Sequence, residues 1–231
     1  MKRAIARKHI TVLLAEDHTV VREGLKTLLE AEGDIKVIGE ADNGRQAVER
    51  ARKLRPAVVV MDIAMPVLNG LEATRQILKA VPAARVLILS AHKDDAYVEQ
   101  VTALGAAGYL VKHSSAHALS TAVREVQKGN TFFSPSISRR IQRHSRRPAA
   151  QGETSKKSGN RLSSREVEVL QLIAEGKGNK QVAAELGVSF KTADKHRQNL
   201  MSKLDIHEVA GLTRYAITEG IIESSVRLTI R

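Results

Sequence analysis

Five short apolar runs, each giving way to a polar residue, constrain this 231-residue chain more than any other feature. ITVLLA runs into Glu16-Asp17, VVVM into Asp62, RVLIL into Ser90 and GYLV into Lys112, and KVIGE is the fifth. Nearly continuous in apolarity and rich in β-branched residues, such runs suit strands covered on both faces. Between them lie TVVREGLKTLLEAEG, GRQAVERARKL, NGLEATRQILKA, DDAYVEQVTALG and SAHALSTAVREVQKG. These repeat apolar residues at helical spacing, as Val21, Leu25, Leu28 and Leu29 do in the first. Strand–helix alternation five times over predicts a doubly wound α/β domain, and its size fits a flavodoxin-like five-stranded parallel sheet of order 2-1-3-4-5.

In such a sheet ligands bind at the carboxyl ends of the strands, so Glu16, Asp17, Asp62, Ser90 and Lys112 converge on one edge. Three carboxylates together repel one another and call for a cation. Oxygen-only ligation suits Mg²⁺, which keeps several waters and takes few carboxylates plus a phosphate. A lysine ammonium and a serine hydroxyl beside them complete a site for a phosphoryl group. Singly, each residue has a plain structural use: Glu16-Asp17 or Ser90 can start a helix, and Lys112 can be a solvated loop residue. Five fitting residue types at fitting strand ends make coincidence a poor account. Met65-Pro66 and Gly70 suit a tight turn beside Asp62. A phosphatase of the Asp-x-Asp type would need a second carboxylate two positions on, where this chain has Ala64. No Gly-x-Ser-x-Gly, Gly-x-Gly-x-x-Gly or Walker A pattern occurs either.

The formal net charge is +12, which points to a polyanionic partner, and its distribution is uneven. Eight Lys/Arg against one Asp/Glu fall in residues 134–161, SPSISRRIQRHSRRPAAQGETSKKSGNR, which are rich in Ser, Arg, Pro and Gly. So few large apolar residues cannot offset the entropy of ordering, so residues 134–160 read as a flexible basic linker between domains at 1–133 and 161–231. The absence of Cys removes disulfides and thiolate chemistry, and 3% aromatic residues leave little for stacking on single strands. No apolar run approaches the ~20 residues of a membrane span, and the basic start lacks the apolar core of a signal peptide.

The last segment reads as four short helices. LSSREVEVLQLIAEG opens with Ser163 and Glu166 in capping-box spacing, with Val167, Leu170, Ile173 and Ala174 as its stripe, and Gly176 stops it. NKQVAAELGVS turns Val182, Ala183 and Leu186 inward and ends at Gly187. Ser189 caps FKTADKHRQNLMSKL, and HEVAGLTRYAITEG, with His207 at its start, is the fourth. A short helix, a glycine turn and a longer helix make a helix-turn-helix. On the third helix Ala193, Leu200, Met201 and Leu204 share one face. Lys191, Thr192, Asp194, Lys195, Gln198 and Asn199 lie largely on the other, with chemistry suited to phosphates and base edges.

LLAEDH, VVVMDIAMPVLNG, LILSAH and GYLVKHSS together resemble a response-regulator receiver domain over residues 9–130. The resemblance implies that Asp62 accepts a phosphoryl group from a histidine kinase. Mg²⁺ would then be held by Glu16, Asp17, Asp62 and the backbone carbonyl of Ala64. It makes Ser90 the switch hydroxyl, Lys112 the phosphate-binding lysine and Tyr109 the aromatic that turns inward on activation, with Ala64 and His92 tuning loss of the phosphoryl group. LSSREVEVLQLIAEGKGNKQVAAELGVSFKTADKHRQNLMSKLDIH resembles the LuxR-type helix-turn-helix, with Ser164 and Ala193 where that family has Pro and Val. This second resemblance implies a dimer whose third helix enters the major groove of double-stranded DNA, with Asp194, Lys195 and Gln198 facing bases and Lys191, Thr192 and Asn199 flanking them. His196 is the family's usual histidine at its position. The whole chain is thus similar to the NarL/FixJ class of bacterial response regulators: a cytoplasmic transcriptional regulator, not a classical enzyme, that forms a homodimer and binds DNA when phosphorylated. The competing reading is a DNA-binding protein indifferent to phosphorylation, whose receiver is only an interaction module.

Overall fold

A computed structural model describes residues 9–91, 95–112, 114–134, 137–138 and 162–223. Of the expected linker it therefore describes only Ser134, Ile137 and Ser138, and His92 also lies outside the described residues.

The first unit alternates as expected: β1 (Ile10–Ala15), α1 (Thr19–Glu30), β2 (Ile35–Ala41), α2 (Gly44–Leu54), β3 (Val58–Met61), α3 (Gly70–Ala80), β4 (Arg85–Ser90), α4 (Asp95–Ala103), β5 (Gly108–Val111) and α5 (Ala116–Gln127). A sixth strand, β6 (Phe132–Phe133), follows. The sheet order is β2-β1-β3-β4-β5-β6, and every pairing is parallel. The expected five-stranded order thus stands within a six-stranded sheet. Two residues are too few to show a strand periodicity, which is why β6 escapes a reading by pattern. Gly108 admits it: a Cβ there would collide with the Phe132 carbonyl oxygen and come within 2.9 Å of Leu87.

Both faces of the sheet are covered. Val12, Leu14, Val58, Val60, Leu87, Leu89 and Leu110 pack with Leu29 of α1 and Leu119, Val123 and Val126 of α5. The alternate residues Leu13, Val59, Met61, Ile88 and Tyr109 are equally buried. Each such side chain contributes about 1.5–3 kcal/mol by leaving water, which explains why the buried stretches of these runs are apolar until they end. The stripe read on α1 is narrower than expected. Leu25 and Leu29 face the core, whereas Val21 and Leu28 are exposed, because only a slim face of this helix meets β2, β1 and α5.

The second unit holds α6 (Ser164–Ala174), α7 (Asn179–Leu186), α8 (Phe190–Leu204) and α9 (Val209–Thr218). Ser163 and Glu166 form the capping box, and Gly176 and Gly187 take the left-handed conformation that ends α6 and α7. The Ser189 hydroxyl accepts from the Thr192 amide at 3.1 Å and starts α8. Val182, Ala183, Leu186, Ala193, Leu200, Leu212 and Ala216 share one core, with Met201 and Leu204 packed against it. Val169 and Leu172 join Leu170 and Ile173 in that core, while Val167 and Ala174 are only half-buried, so the α6 stripe is displaced from the expected one. His207 lies one residue before the α9 cap, Glu208. Among the described residues no helix is long and apolar enough to cross a membrane.

Candidate functional site

The parallel sheet brings the carboxyl ends of β1, β3, β4 and β5 to one edge, and the polar residues that end them sit there. Glu16 follows β1 and Asp62 follows β3; both are buried, at 1% and 3% exposure. Lys112, just after β5, places its Nζ 2.8 Å from Asp62 Oδ2 and 2.8 Å from Glu16 Oε2. One ammonium thus ties the two buried carboxylates together. Ser90 ends β4, is buried, and accepts the Lys112 amide on its main-chain carbonyl at 2.8 Å. Tyr109 lies in β5 opposite Ile88 and is fully buried, so its ring already points inward. Ala64 stands two residues beyond Asp62, half-buried, in the turn that leads to α3.

Backbone fit fixes the position of Asp62. Its amide donates to the Ala15 carbonyl at 2.9 Å, and its Oδ1 accepts from the Ile63 amide at 2.8 Å. Gly70 donates to the Ile63 carbonyl at 2.8 Å, and a Cβ at Gly70 would press on the Asp62 carbonyl group. In this turn the left-handed position belongs to Val67, at φ +69°, which is a costly conformation for a β-branched residue.

Burial pushes the Asp62 carboxyl up to about 6, against the pull of the Lys112 charge. Burial would depress Lys112, but the Asp62 and Glu16 carboxylates outweigh it and raise the ammonium above its ordinary range. His18, the last residue of LLAEDH, is not among the candidate site residues read from the sequence. Its Nδ1 lies 2.9 Å from Asp17 Oδ1 and 3.1 Å from Glu16 Oε1, and those neighbours raise its pKa, the Asp17 charge foremost. Its place directly after Glu16-Asp17 was the available signal.

The donor set fits a hard cation. Glu16, Asp17 and His18 offer ligand atoms within 4.8 Å of one another. Glu16 Oε2 and Asp17 Oδ1 are buried and make no well-formed hydrogen bond, their contacts to Lys112 and His18 apart. Carboxylate oxygens with spare lone pairs are what Mg²⁺ takes.

On the second unit, Lys191, Thr192, Lys195, Gln198 and Asn199 are exposed along α8, and Asp194 is half-buried. The Thr192 hydroxyl lies 2.9 Å from the Ser189 hydroxyl. Asp194 uses both oxygens inside the protein: Oδ1 accepts from Asn179 Nδ2 at 2.8 Å and Oδ2 from Gln198 Nε2 at 2.8 Å. Asn179 Oδ1 in turn accepts from Arg197 Nη1 at 3.0 Å. Asn179 and Arg197 were not among the candidates. They lie 18 positions apart on different helices, a pairing that sequence spacing does not reveal.

Residues 12–124 match the response regulator receiver domain, and residues 160–216 match the bacterial regulatory proteins of the luxR family. The transcriptional regulatory protein MctR of Rhizobium johnstonii is 38% identical over 216 residues, covering 94% of this chain and 97% of that protein. The transcriptional regulatory protein LiaR of Bacillus subtilis is 39% identical over 210 residues, covering 90% and 96%. A solved structure of two RcsB dimers bound to two parallel DNAs is 27% identical, covers 90% of this chain and 97% of that one, and superposes with a TM-score of 0.54. With receiver and luxR-type modules in this order, and with relatives matched along nearly their whole length, the chain belongs to the NarL/LuxR family of two-component response regulators and is a DNA-binding transcriptional regulator.

Proposed function

We propose that Asp62 is the phosphoacceptor and that its phosphorylation by a histidine kinase controls dimerisation and DNA binding. The observation that carries this reading is the Lys112 ammonium, 2.8 Å from each of two buried carboxylates at the edge of a parallel sheet. An Asp62 oxygen attacks phosphorus; the acyl phosphate bond forms as the bond from phosphorus to the kinase histidine nitrogen breaks, and that imidazole keeps the bonding pair. Lys112 moves from the carboxylate to a phosphoryl oxygen, and the Ser90 hydroxyl donates to another. Glu16, Asp17, Asp62 and the Ala64 carbonyl would hold Mg²⁺, which when bound neutralises the phosphoryl charge. Ser90, once drawn to the phosphoryl group, leaves room that holds the Tyr109 ring inward, and this biases the receiver towards the active population.

The receiver spans 1–133, the basic linker 134–160 and the DNA-binding domain 161–231. On that domain Lys191, Thr192, Asp194, Lys195, Gln198 and Asn199 form the face towards the major groove, Asp194 acting through its neighbours. Two copies engage two half-sites, as expected for a symmetric dimer on a pseudo-palindrome; the solved structure of RcsB dimers bound to DNA supports binding as a dimer. Such a protein works in the cytoplasm.

The test treats wild type and Asp62→Ala with a small-molecule phosphoryl donor and Mg²⁺, then measures mass and DNA affinity. Wild type alone is expected to gain one phosphoryl group, to dimerise and to bind DNA more tightly. Equal behaviour of both proteins would reduce the receiver to an interaction module and leave the DNA-binding domain acting alone.

A further inference from the structure

We infer that Phe190, the first residue of α8, reads a thymine in each half-site by packing its ring against the C5-methyl group in the major groove. The inference rests on the proposed approach of α8 to that groove. The chain has three phenylalanines; Phe132 and Phe133 are half-buried in β6, whereas Phe190 stands 53% exposed. A single apolar residue on a surface is ordinary, but the position of this one is not. Ser189, the cap of α8, accepts the Thr192 amide at 3.1 Å and so fixes the backbone of the turn that carries the ring. Helical side chains tilt towards the N-terminus, so Phe190 projects past the start of the helix, the end at which a recognition helix meets base edges. Its spacing of four and eight residues from Asp194 and Gln198 sets it on the same row as they are.

Chemistry decides what such a ring can read. A phenyl group has no hydrogen-bonding atom, so Phe190 cannot tell the polar base edges apart, and a phosphate oxygen offers it nothing. The major-groove edges of the four base pairs carry one apolar group, the thymine methyl. Packing the ring against it takes both out of water, and a methyl buried there is worth about fourfold in affinity at each half-site. Lys191 beside the ring and Lys195 about one turn on are exposed, so their charges draw this end of α8 onto the phosphates and hold the ring in the groove. Phe190 thereby adds an apolar contact to a face whose other members read by charge and hydrogen bonds.

The experiment selects binding sites from a random-sequence duplex DNA library with the full chain, as wild type, Phe190→Ala and Gln198→Ala. Cooperative melting of each variant establishes that it is folded. Wild type is expected to enrich thymine at one position per half-site, and Phe190→Ala to lose that preference while keeping the others. Each thymine of the selected site is then replaced in turn by uracil, which removes the methyl and leaves the base pairing intact. At the position in question wild type should bind the uracil duplex about fourfold more weakly for each half-site changed, whereas Phe190→Ala should bind both duplexes equally. The uracil scan on wild type needs no variant, so it tests the methyl contact even where Phe190→Ala does not fold. Unchanged preferences in Phe190→Ala, a changed position that does not hold thymine, no uracil duplex bound more weakly by wild type, or the same loss in Phe190→Ala would overturn the inference. In each of those cases a preference altered by Gln198→Ala leaves the groove reading standing. No preference altered in either variant, or failure of wild type to enrich any sequence, would overturn both.

Discussion

Replacing Asp62 by Asn should stabilise the receiver at neutral pH while abolishing its phosphorylation. Burial moves the Asp62 carboxyl from its ordinary 3.8 to about 6. Since each pKa unit corresponds to about 1.4 kcal/mol, holding the ionised form in the folded protein costs about 3 kcal/mol. That figure already contains the attraction to Lys112, so it is the net cost of the charge where it sits. With the asparagine oxygen kept on the Ile63 amide, its Nδ2 takes the place of Oδ2, so Lys112 leaves this position and keeps Glu16. The sign follows from proton counting. Between pH 3.8 and about 6 the folded protein holds a proton on Asp62 that the unfolded chain has released, so wild-type stability falls as pH rises through this window. The variant does not titrate there. Its advantage should therefore be small near pH 4 and reach about 3 kcal/mol by pH 8. Hydrogen exchange of the β1 and β3 amides, in chelator and at several pH values, isolates the receiver from the second unit. An Asn variant equal to or less stable than wild type at pH 8, or a gap that does not change with pH, would refute the reasoning.

Other outcomes follow from the same geometry. Saturating Mg²⁺ should raise the receiver stability of wild type more than that of Asp62→Asn, since the variant loses a ligand carboxylate; equal shifts in thermal melting would remove Asp62 from the cation site. Gly70→Ala should cost about 3 kcal/mol or more and slow phosphorylation, because the added methyl presses on the Asp62 carbonyl carbon at 2.8 Å, which denaturation and phosphorylation rates would check. Ser163→Ala should cost the second unit about 1 kcal/mol through loss of the capping box, measurable in its chemical denaturation. Neutralising Arg139, Arg140, Arg143, Arg146 and Arg147 should flatten the salt dependence of DNA binding; an unchanged slope would mean that these charges do not contact phosphate.

What could be read from the residues divides along physical lines. Strands β1, β3, β4 and β5 announce themselves because a strand covered on both faces has little place for a charged residue until it ends, and Glu16, Asp62, Ser90 and Lys112 mark those ends, whereas the edge strand β2 carries Lys36 and Glu40 within it. The caps at Ser163 and Ser189 and the glycine stops are local chemistry and were equally visible. Four things are hidden. Strand β6 is too short to carry a period. The solvent exposure of Leu28 depends on how α1 lies against its neighbours, which residue type does not record. The grip of Asn179 on Asp194 depends on the angle between two helices. The resemblance gives Lys112 a phosphate, yet its double attachment to Asp62 and Glu16 is a matter of distances that only folding creates.

The two-residue strand at the end of the sheet covers the first half of β5, at Gly108 and Tyr109. Until Phe132 and Phe133 leave the ribosome, β5 presents bare amides and carbonyls, an invitation to pair with another nascent chain. Gly108 keeps that seam narrow enough to be closed by a very short segment. A receiver truncated before Phe132 would keep its acidic site whole and yet carry an adhesive margin, and its self-association would come from that cut rather than from signalling.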